Sequence, residues 1–349
     1  MMVQKRYCLN KSLIFTLVLF YLSLNSVNGQ IQSMSLFTDT SLLKINFIGE
    51  FRKIIKSTPD SVYSNASIQY YHHDSLISVP VKIRKRGVSR QNPEVCNFPP
   101  LLLKFSDIQP EGSIFKGFDK LKLVTHCQTG HSNYEQYLLL EYLAYRIYNH
   151  LTDYSFKVRL LQINYIFSDV KNKQVTHYGF LIEDLQNLAS RCGCNVADME
   201  KIRPETTQRE MMTLMPVFQF MIGNTDWSVT NLHNIKIIKK PEMSFFIPVP
   251  YDFDGSGFVN PPYAKPADFL DIETVRDRIY RGYPRSRPEM DSVFAFFNDK
   301  KLIIYSLIKN QQALKNSYKK NTSRFLDDFY RIINNEKLKN TYFYSTFIE

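Results

Sequence analysis

Carboxylates and amides crowd two short stretches of this chain: Asn224-Thr225-Asp226-Trp227-Ser228-Val229-Thr230-Asn231-Leu232-His233-Asn234, and Tyr251-Asp252-Phe253-Asp254. These residue types suit one chemistry in particular. Moving a phosphoryl group asks little covalent work of a protein. It needs a divalent cation held against phosphate oxygens, a carboxylate beside the attacking hydroxyl, and cations around the phosphates. Magnesium takes oxygen ligands and keeps several of its waters, so one or two carboxylates and an amide oxygen are enough. In that scheme Asp226 is the catalytic carboxylate and Asp252 the metal carboxylate, with Asp254 replacing or assisting Asp252. Either stretch alone reads better as turn and capping residues. Together, joined by a two-strand ribbon, they favour the chemical reading.

Two asparagines compete to be the second metal ligand. Asn231 stands five residues after Asp226, the spacing of the protein-kinase catalytic loop. Asn234 sits directly before a strand, which would fix where its side chain points, and this favours Asn234.

The segments that must position these loops are legible from periodicity. Ser67 to Tyr71 and Val79 to Arg86 read as strands joined by a polar turn. In the second, a period of two places Lys82, Arg84 and Arg86 on one face and Val81 and Ile83 on the other. Leu101 to Phe105 and Lys120 to Thr125 are two further strands, and Asn133 to His150 is a helix. Val158 to Phe167 and His177 to Ile182 form an antiparallel hairpin across the polar Ser168 to Gln174. Helix returns from Thr206 to Ile222, with Met211, Leu214, Met215, Phe218 and Ile222 on one face. The ribbon is Ile235 to Ile238 and Ser244 to Val249, and the remainder, above all Met290 to Tyr330, is mainly helical. This element order is α+β, and it is that of a protein-kinase-like two-lobed fold.

The runs Ile222-Gly-Asn-Thr-Asp-Trp-Ser228, Leu232-His-Asn234 and Val249-Pro-Tyr-Asp-Phe-Asp-Gly-Ser-Gly257 resemble the exported bacterial branch of the spore-coat-protein-H (CotH) kinase family. Arg84-Lys-Arg-Gly-Val-Ser-Arg90 is similar to that family's Arg-x-Arg-Gly element, and Phe115 to Cys127 to the strand before its first helix. The likeness spans roughly residues 80 to 285. It implies a β-rich N-terminal lobe over 30–184, a helical C-terminal lobe over 185–349, and ATP with Mg2+ or Mn2+ between them. It further implies that Arg84, Arg86 and Gly87 cover the phosphates and that the strand ending in Glu183 is the hinge meeting adenine. Where the family often carries a lysine-rich stretch, this chain has Cys96-Asn-Phe-Pro-Pro100, so the phosphate-binding lysine is Lys104 or Lys122. Its helix partner is then Glu141, with Glu135 as the alternative.

The first residues read as an export signal. Lys5, Arg6 and Lys11 precede the apolar run Ser12 to Leu24, and Val27 and Gly29 supply small residues before a cleavage point at Gln30. That run is shorter than the roughly 20 residues a membrane span needs, and nothing later is apolar for as long. No membrane span is therefore expected after cleavage of residues 1–29, and the mature protein is expected in the periplasm, on the cell surface or secreted. Cleavage removes three positive charges from a net +11, and the remaining basic balance suits anionic partners or simply keeps the surface solvated. Of the cysteines beyond the leader, Cys96 and Cys127 are the preferred disulfide pair, while Cys192-Gly-Cys194 lacks the second unit a zinc site requires.

Other candidates rank lower. His126, His131 and Cys127 match no metal-ligand spacing. The run Arg276, Arg278, Arg281, Arg285 and Arg287 reads as a solvated face or as a dock for an acidic substrate. Ser89 lacks any serine-hydrolase context. Nucleic-acid binding has only charge behind it, and export argues against it. The expected activity is ATP-dependent phosphorylation of a protein or small-molecule hydroxyl. The alternative is a catalytically silent kinase-like surface protein, and the unsettled lysine favours it.

Overall fold

The computed structural model describes residues 36–56, 61–72, 74–87, 90 and 95–344. The export signal and Ser89 lie outside them. The architecture is mixed α+β, with strands concentrated in the first half and helices in the second. The first half is a closed barrel, an arrangement the two-lobed expectation did not contain. Its strands are β1 (Leu43–Gly49), β2 (Ser64–His72), β3 (Ser75–Lys85), β4 (Leu101–Phe105), β5 (Lys120–Val124), β6 (Val158–Phe167) and β7 (Gln174–Ile182). They run in the order β1-β2-β3-β4-β5-β7-β6, and β6 closes the ring by pairing in parallel with β1.

Alternation explains the barrel. Ile45, Phe47, Val79, Val81, Ile83, Leu101, Leu103, Leu121, Leu123, Ile163 and Tyr165 point inward and are buried, while the residues between them face out. A short helix, α1 (Phe51–Lys56), follows β1 and inserts Phe51 among Phe47, Tyr165 and Phe167, with ring centroids 5.1, 5.3 and 5.5 Å away. Edge-on contacts of this kind suit the aromatic quadrupole. β1 and α1 are additions to the sequence reading.

The long helix α2 (Ser132–Leu151) crosses from the barrel to the helical half, touching β6 and β7 on one side and α5 (Arg287–Asn310) on the other. Being covered on both sides, it is apolar nearly all round, from Leu138 to Tyr145, rather than along one stripe. The second core gathers α2, α4 (Met211–Ile222), α5 and α6 (Asn316–Ile333). Between β7 and α4 lie α3 (Leu185–Arg191), capped by the Asp184 carboxylate, and β8 (Asn195–Val196). β8 joins β9 (Ile235–Lys239) and β10 (Ile247–Pro250) in a three-stranded sheet. The β9–β10 pair is the expected ribbon.

Cys96 and Cys127 are bonded to each other, as expected. They tie the connection between β3 and β4 to the end of β5, beside the backbone bond from Phe98 N–H to Cys127 O. Closing a loop of this size constrains the unfolded chain by about 3.7 kcal/mol. Cys192 and Cys194 are free thiols. Among the described residues, no helix is long and apolar enough to cross a membrane.

Candidate functional site

The two acidic stretches meet because the ribbon returns one beside the other. β9 and β10 pair from Ile235 opposite Pro250, and the ladder continues one step as Tyr251 N–H donates to Asn234 O at 3.0 Å. Asp252 follows, in the left-handed region at φ 64°, with its N–H bonded to the Tyr145 hydroxyl of α2 at 2.9 Å. A non-glycine residue there stores strain that its surroundings must hold. Phe253 supplies the hold. It is fully buried, 4.6 Å from the Tyr145 ring and 5.4 Å from that of Phe218.

Asp252 opens into a cleft with about 620 Å³ of open space, the solvent at its mouth included, lined also by Arg86, Gly87, Arg90, Lys122, Glu141 and Tyr251. The apolar wall is Val124, Phe156 and Ile182. These residues come from the end of β3, from β5, from α2, from β7 and from the turn after β10. Gly87 takes φ 91°, which lets the chain turn away from β3. The alternation of β3 stops at Lys85, and Arg86 N–H bonds to Pro100 O at 2.9 Å, so Arg86 enters the cleft while Arg84 does not.

The electrostatics are strained. Burial pushes the Lys122 ammonium down to about 8, and the neighbouring Arg86 and Lys236 push the same way. Burial, reinforced by Asp254, holds the Glu141 carboxyl well above its ordinary range. Asp252 is raised for the same two reasons, although its carboxyl faces the open space of the cleft. Burial opposes charge on Arg90, but the adjoining Asp254 keeps it firmly protonated. Burial is the largest cause of both raised carboxyls, with repulsion from Asp254 behind it and the neighbouring arginines working against it.

The oxygen donors of this acidic turn and of the loop beside it are of the kind a divalent cation takes. Asp252 would hold it, with the amide oxygen of Asn234, since the Asn234 NH2 group is spent on Asp226 O and Oδ2 at 2.8 and 3.1 Å. Among the described residues no three His, Cys, Asp or Glu side chains form a metal site by themselves.

Asp226 lies outside the cleft lining, at the far end of the same loop, largely exposed. Its Oδ1 meets His233 Nε2 at 2.7 Å and its Oδ2 meets Asn234. The loop behind it is built from α4 outward. Gly223 ends the helix at φ 62°, and a Cβ there would lie 3.0 Å from Val275 O. Asn224 Oδ1 then accepts the Asp226 N–H, and Trp227 Nε1 donates to Asn224 O.

Neither a family model nor a curated protein matches the chain. Among solved structures it is similar to the Helicobacter pylori proinflammatory kinase CtkA, at 12% identity and a TM-score of 0.35. That alignment covers 80% of this chain and 91% of the other. A likeness so remote carries no argument about fold or function.

The structure thus brings Arg86, Gly87, Lys122, Glu141 and Asp252 to one cleft, with Asn234 and Asp226 on the adjoining loop. Other sequence candidates stand elsewhere. Arg84 lies on the outer face of the barrel, 5.5 Å from the Tyr63 ring, and Lys104 lies 6.0 Å from the same ring. Asn231 is exposed, and its N–H bonds to Ser228 Oγ. Asp254 is engaged by Arg90 and by the Tyr263 hydroxyl. The Glu183 carboxylate pairs with Arg191, and its N–H bonds to Lys157 O. Glu135 is committed to His177 and to Tyr178 N–H. Glu141 forms no ion pair with Lys122, and its cationic neighbours are Arg90 and Arg86.

Four of the five arginines in the run are half-buried and donate to internal partners rather than forming a solvated face, while Arg287 is exposed. Arg278 donates to the terminal α4 carbonyls of Phe220 and Met221, Arg276 to Gly257 O, Arg285 to Thr213 Oγ1, and Arg287 to Asn340 Oδ1. Arg281 donates to Thr225 O and to Trp227 O, the carbonyls on either side of Asp226. Sequence reasoning missed both His233 and this role of Arg281. Arg281→Ala removes charge-assisted bonds worth about 1.5–3 kcal/mol each. Amide exchange across Thr225–Asn234 is expected to quicken about tenfold or more by mass spectrometry, with the cleft amides unchanged.

His126 also has a structural setting. It stacks on His177 at 3.6 Å, and burial, then His177, push its imidazole down to about 3, so it stays neutral.

Proposed function

We propose that the cleft binds ATP with Mg2+ or Mn2+ and that the protein transfers the γ-phosphoryl group to a hydroxyl of a protein or small-molecule acceptor. On this reading the finer fold assignment is protein-kinase-like, the barrel serving as the β-rich lobe. One observation carries it: Lys122, Arg86, Glu141 and Asp252 converge from four separate elements on a single cleft, and the Asp226 loop adjoins it through the Asn234–Tyr251 pair. When bound, the cation neutralises charge on the β- and γ-phosphate oxygens. Lys122 and Arg86 would face the same oxygens, and Val124, Phe156 and Ile182 give the base an apolar wall. Asp226, oriented by His233 and Asn234, would hold the acceptor hydroxyl and take its proton as oxygen bonds to phosphorus and ADP leaves.

A catalytically silent relative is favoured by one feature, the Arg90–Asp254 pair that engages the second carboxylate of the acidic turn. On this reading the export signal expected at residues 1–29 would carry either protein out of the cytoplasm. Calorimetric titration of the mature protein with ATP, with Mg2+ and then with Mn2+, tests the proposal. Metal-dependent binding is expected. Failure of a folded sample to bind with either cation would remove the ATP reading.

A further inference from the structure

Away from the cleft, the outer face of the barrel carries a groove with about 1060 Å³ of open space across β1, β2, β6 and β7. Register makes its floor unusual. Ser78 of β3 stands opposite Gln69, Gln69 opposite Asn46, Asn46 opposite Asn164, and Asn164 opposite Thr176. Five neighbouring strands therefore present one unbroken row of uncharged hydroxyl and amide side chains. At the usual spacing between strands the row is roughly 19 Å long.

The row is organised before any ligand arrives. Asn164 Nδ2 donates to Asn46 Oδ1 at 3.1 Å and to Gln174 Oε1 at 3.4 Å, and Gln69 Nε2 donates to Ser78 Oγ at 3.5 Å. At one end Tyr71 stands opposite Leu76, and both are exposed, at 71% and 51%. Lys44 is the one charged side chain among the groove's lining residues.

We infer that this groove binds an extended, uncharged glycan. Sugar hydroxyls donate and accept at once, and amide side chains offer both functions from one group. A pyranose presents an apolar C–H face, which an exposed tyrosine ring matches through its own apolar face. Successive hexose units repeat at about the strand spacing, so a chain laid across the strands meets one amide or hydroxyl per unit. An anionic partner would call for cations, and the groove has a single lysine. A membrane or an amphipathic helix would call for a wider apolar strip than Tyr71 and Leu76 provide. The inference does not depend on the nucleotide cleft.

The test is calorimetry of the mature protein with hexasaccharides of β-1,4-linked glucose, β-1,4-linked N-acetylglucosamine and α-1,4-linked glucose. At least one should bind, and Tyr71→Ala and Asn164→Ala should each weaken it about tenfold or more. Tyr71 is exposed, so its variant keeps the fold, and an unchanged melting temperature would confirm that. Binding of none of the three, or binding indifferent to Tyr71→Ala, overturns the inference. So does sedimentation showing a dimer that Tyr71→Ala dissociates, because the occupant would then be a second copy of the chain.

Discussion

Asp252→Ala is expected to abolish metal-dependent ATP binding, with a loss on the order of 100-fold or more, comparable to removing a preorganised charge partner from other phosphate sites. Calorimetry with Mg2+ present and absent reads it directly, since the variant should bind no better with the cation than without. The fold should not suffer. In the wild type burial, and after it repulsion from Asp254, raises both Asp252 and Glu141, and Asp252 adds to the rise of Glu141. A carboxyl whose folded pKa is raised holds its proton longer in the folded state. Its stabilisation is present at low pH and is lost as pH rises through the window between the unfolded and folded values. The unliganded wild type should therefore lose stability as pH climbs above the ordinary carboxylate range, and Asp252→Ala should flatten that decline. A variant that melts early at every pH would show instead that Asp252 holds the turn together.

Lys122→Met carries the second large effect, with opposite consequences for binding and stability. The ammonium is depressed from 10.5 to about 8, a penalty on the order of 3 kcal/mol for holding a charged lysine in the cleft. A depressed lysine makes the folded state the poorer proton binder. Its cost is full below about pH 8 and is relieved as pH rises toward 10.5, so wild-type stability should increase across that window. The methionine variant should lack the increase and should match or exceed the wild type near pH 7, as burying an apolar chain in place of a charge often does. Its ATP affinity should fall about tenfold or more. Urea unfolding at pH 7 and pH 10 separates these expectations. Equal pH slopes in the two proteins would mean that Lys122 is well solvated.

Much of this was readable in the residues. Leu101–Phe105 and Val158–Phe167 are short runs rich in apolar and β-branched residues, and their limits coincide with β4 and β6. The acidic loops were located because a ribbon of two apolar strands is hard to mistake and Asp and Asn around it stand out. Other features were not local. Lys104 and Lys122 are each flanked by leucine or phenylalanine and are indistinguishable by pattern. Lys104 pairs across the sheet with Lys82, whereas Lys122 pairs with Ile182 at the mouth of the cleft, and only the register separates them. Arg281 looks like one basic residue among several, and its two backbone partners lie 54 and 56 positions away. β1 has a good period-two pattern, yet nothing within it announces that it will pair with β6 and close a ring.

That closing seam also sets the order of events when the chain folds. Asn46 and Asn164 become neighbours although 118 positions separate them. Contacts of such separation form late and slowly, because a long loop must be ordered before they reward it. β1 therefore waits, unpaired along one edge, until β6 has been synthesised and has found its place. An exposed strand edge is a template for the wrong partner. The stage most open to misassembly is thus the interval between the appearance of β1 and the arrival of β6, and a chain truncated before Phe167 would be left in it.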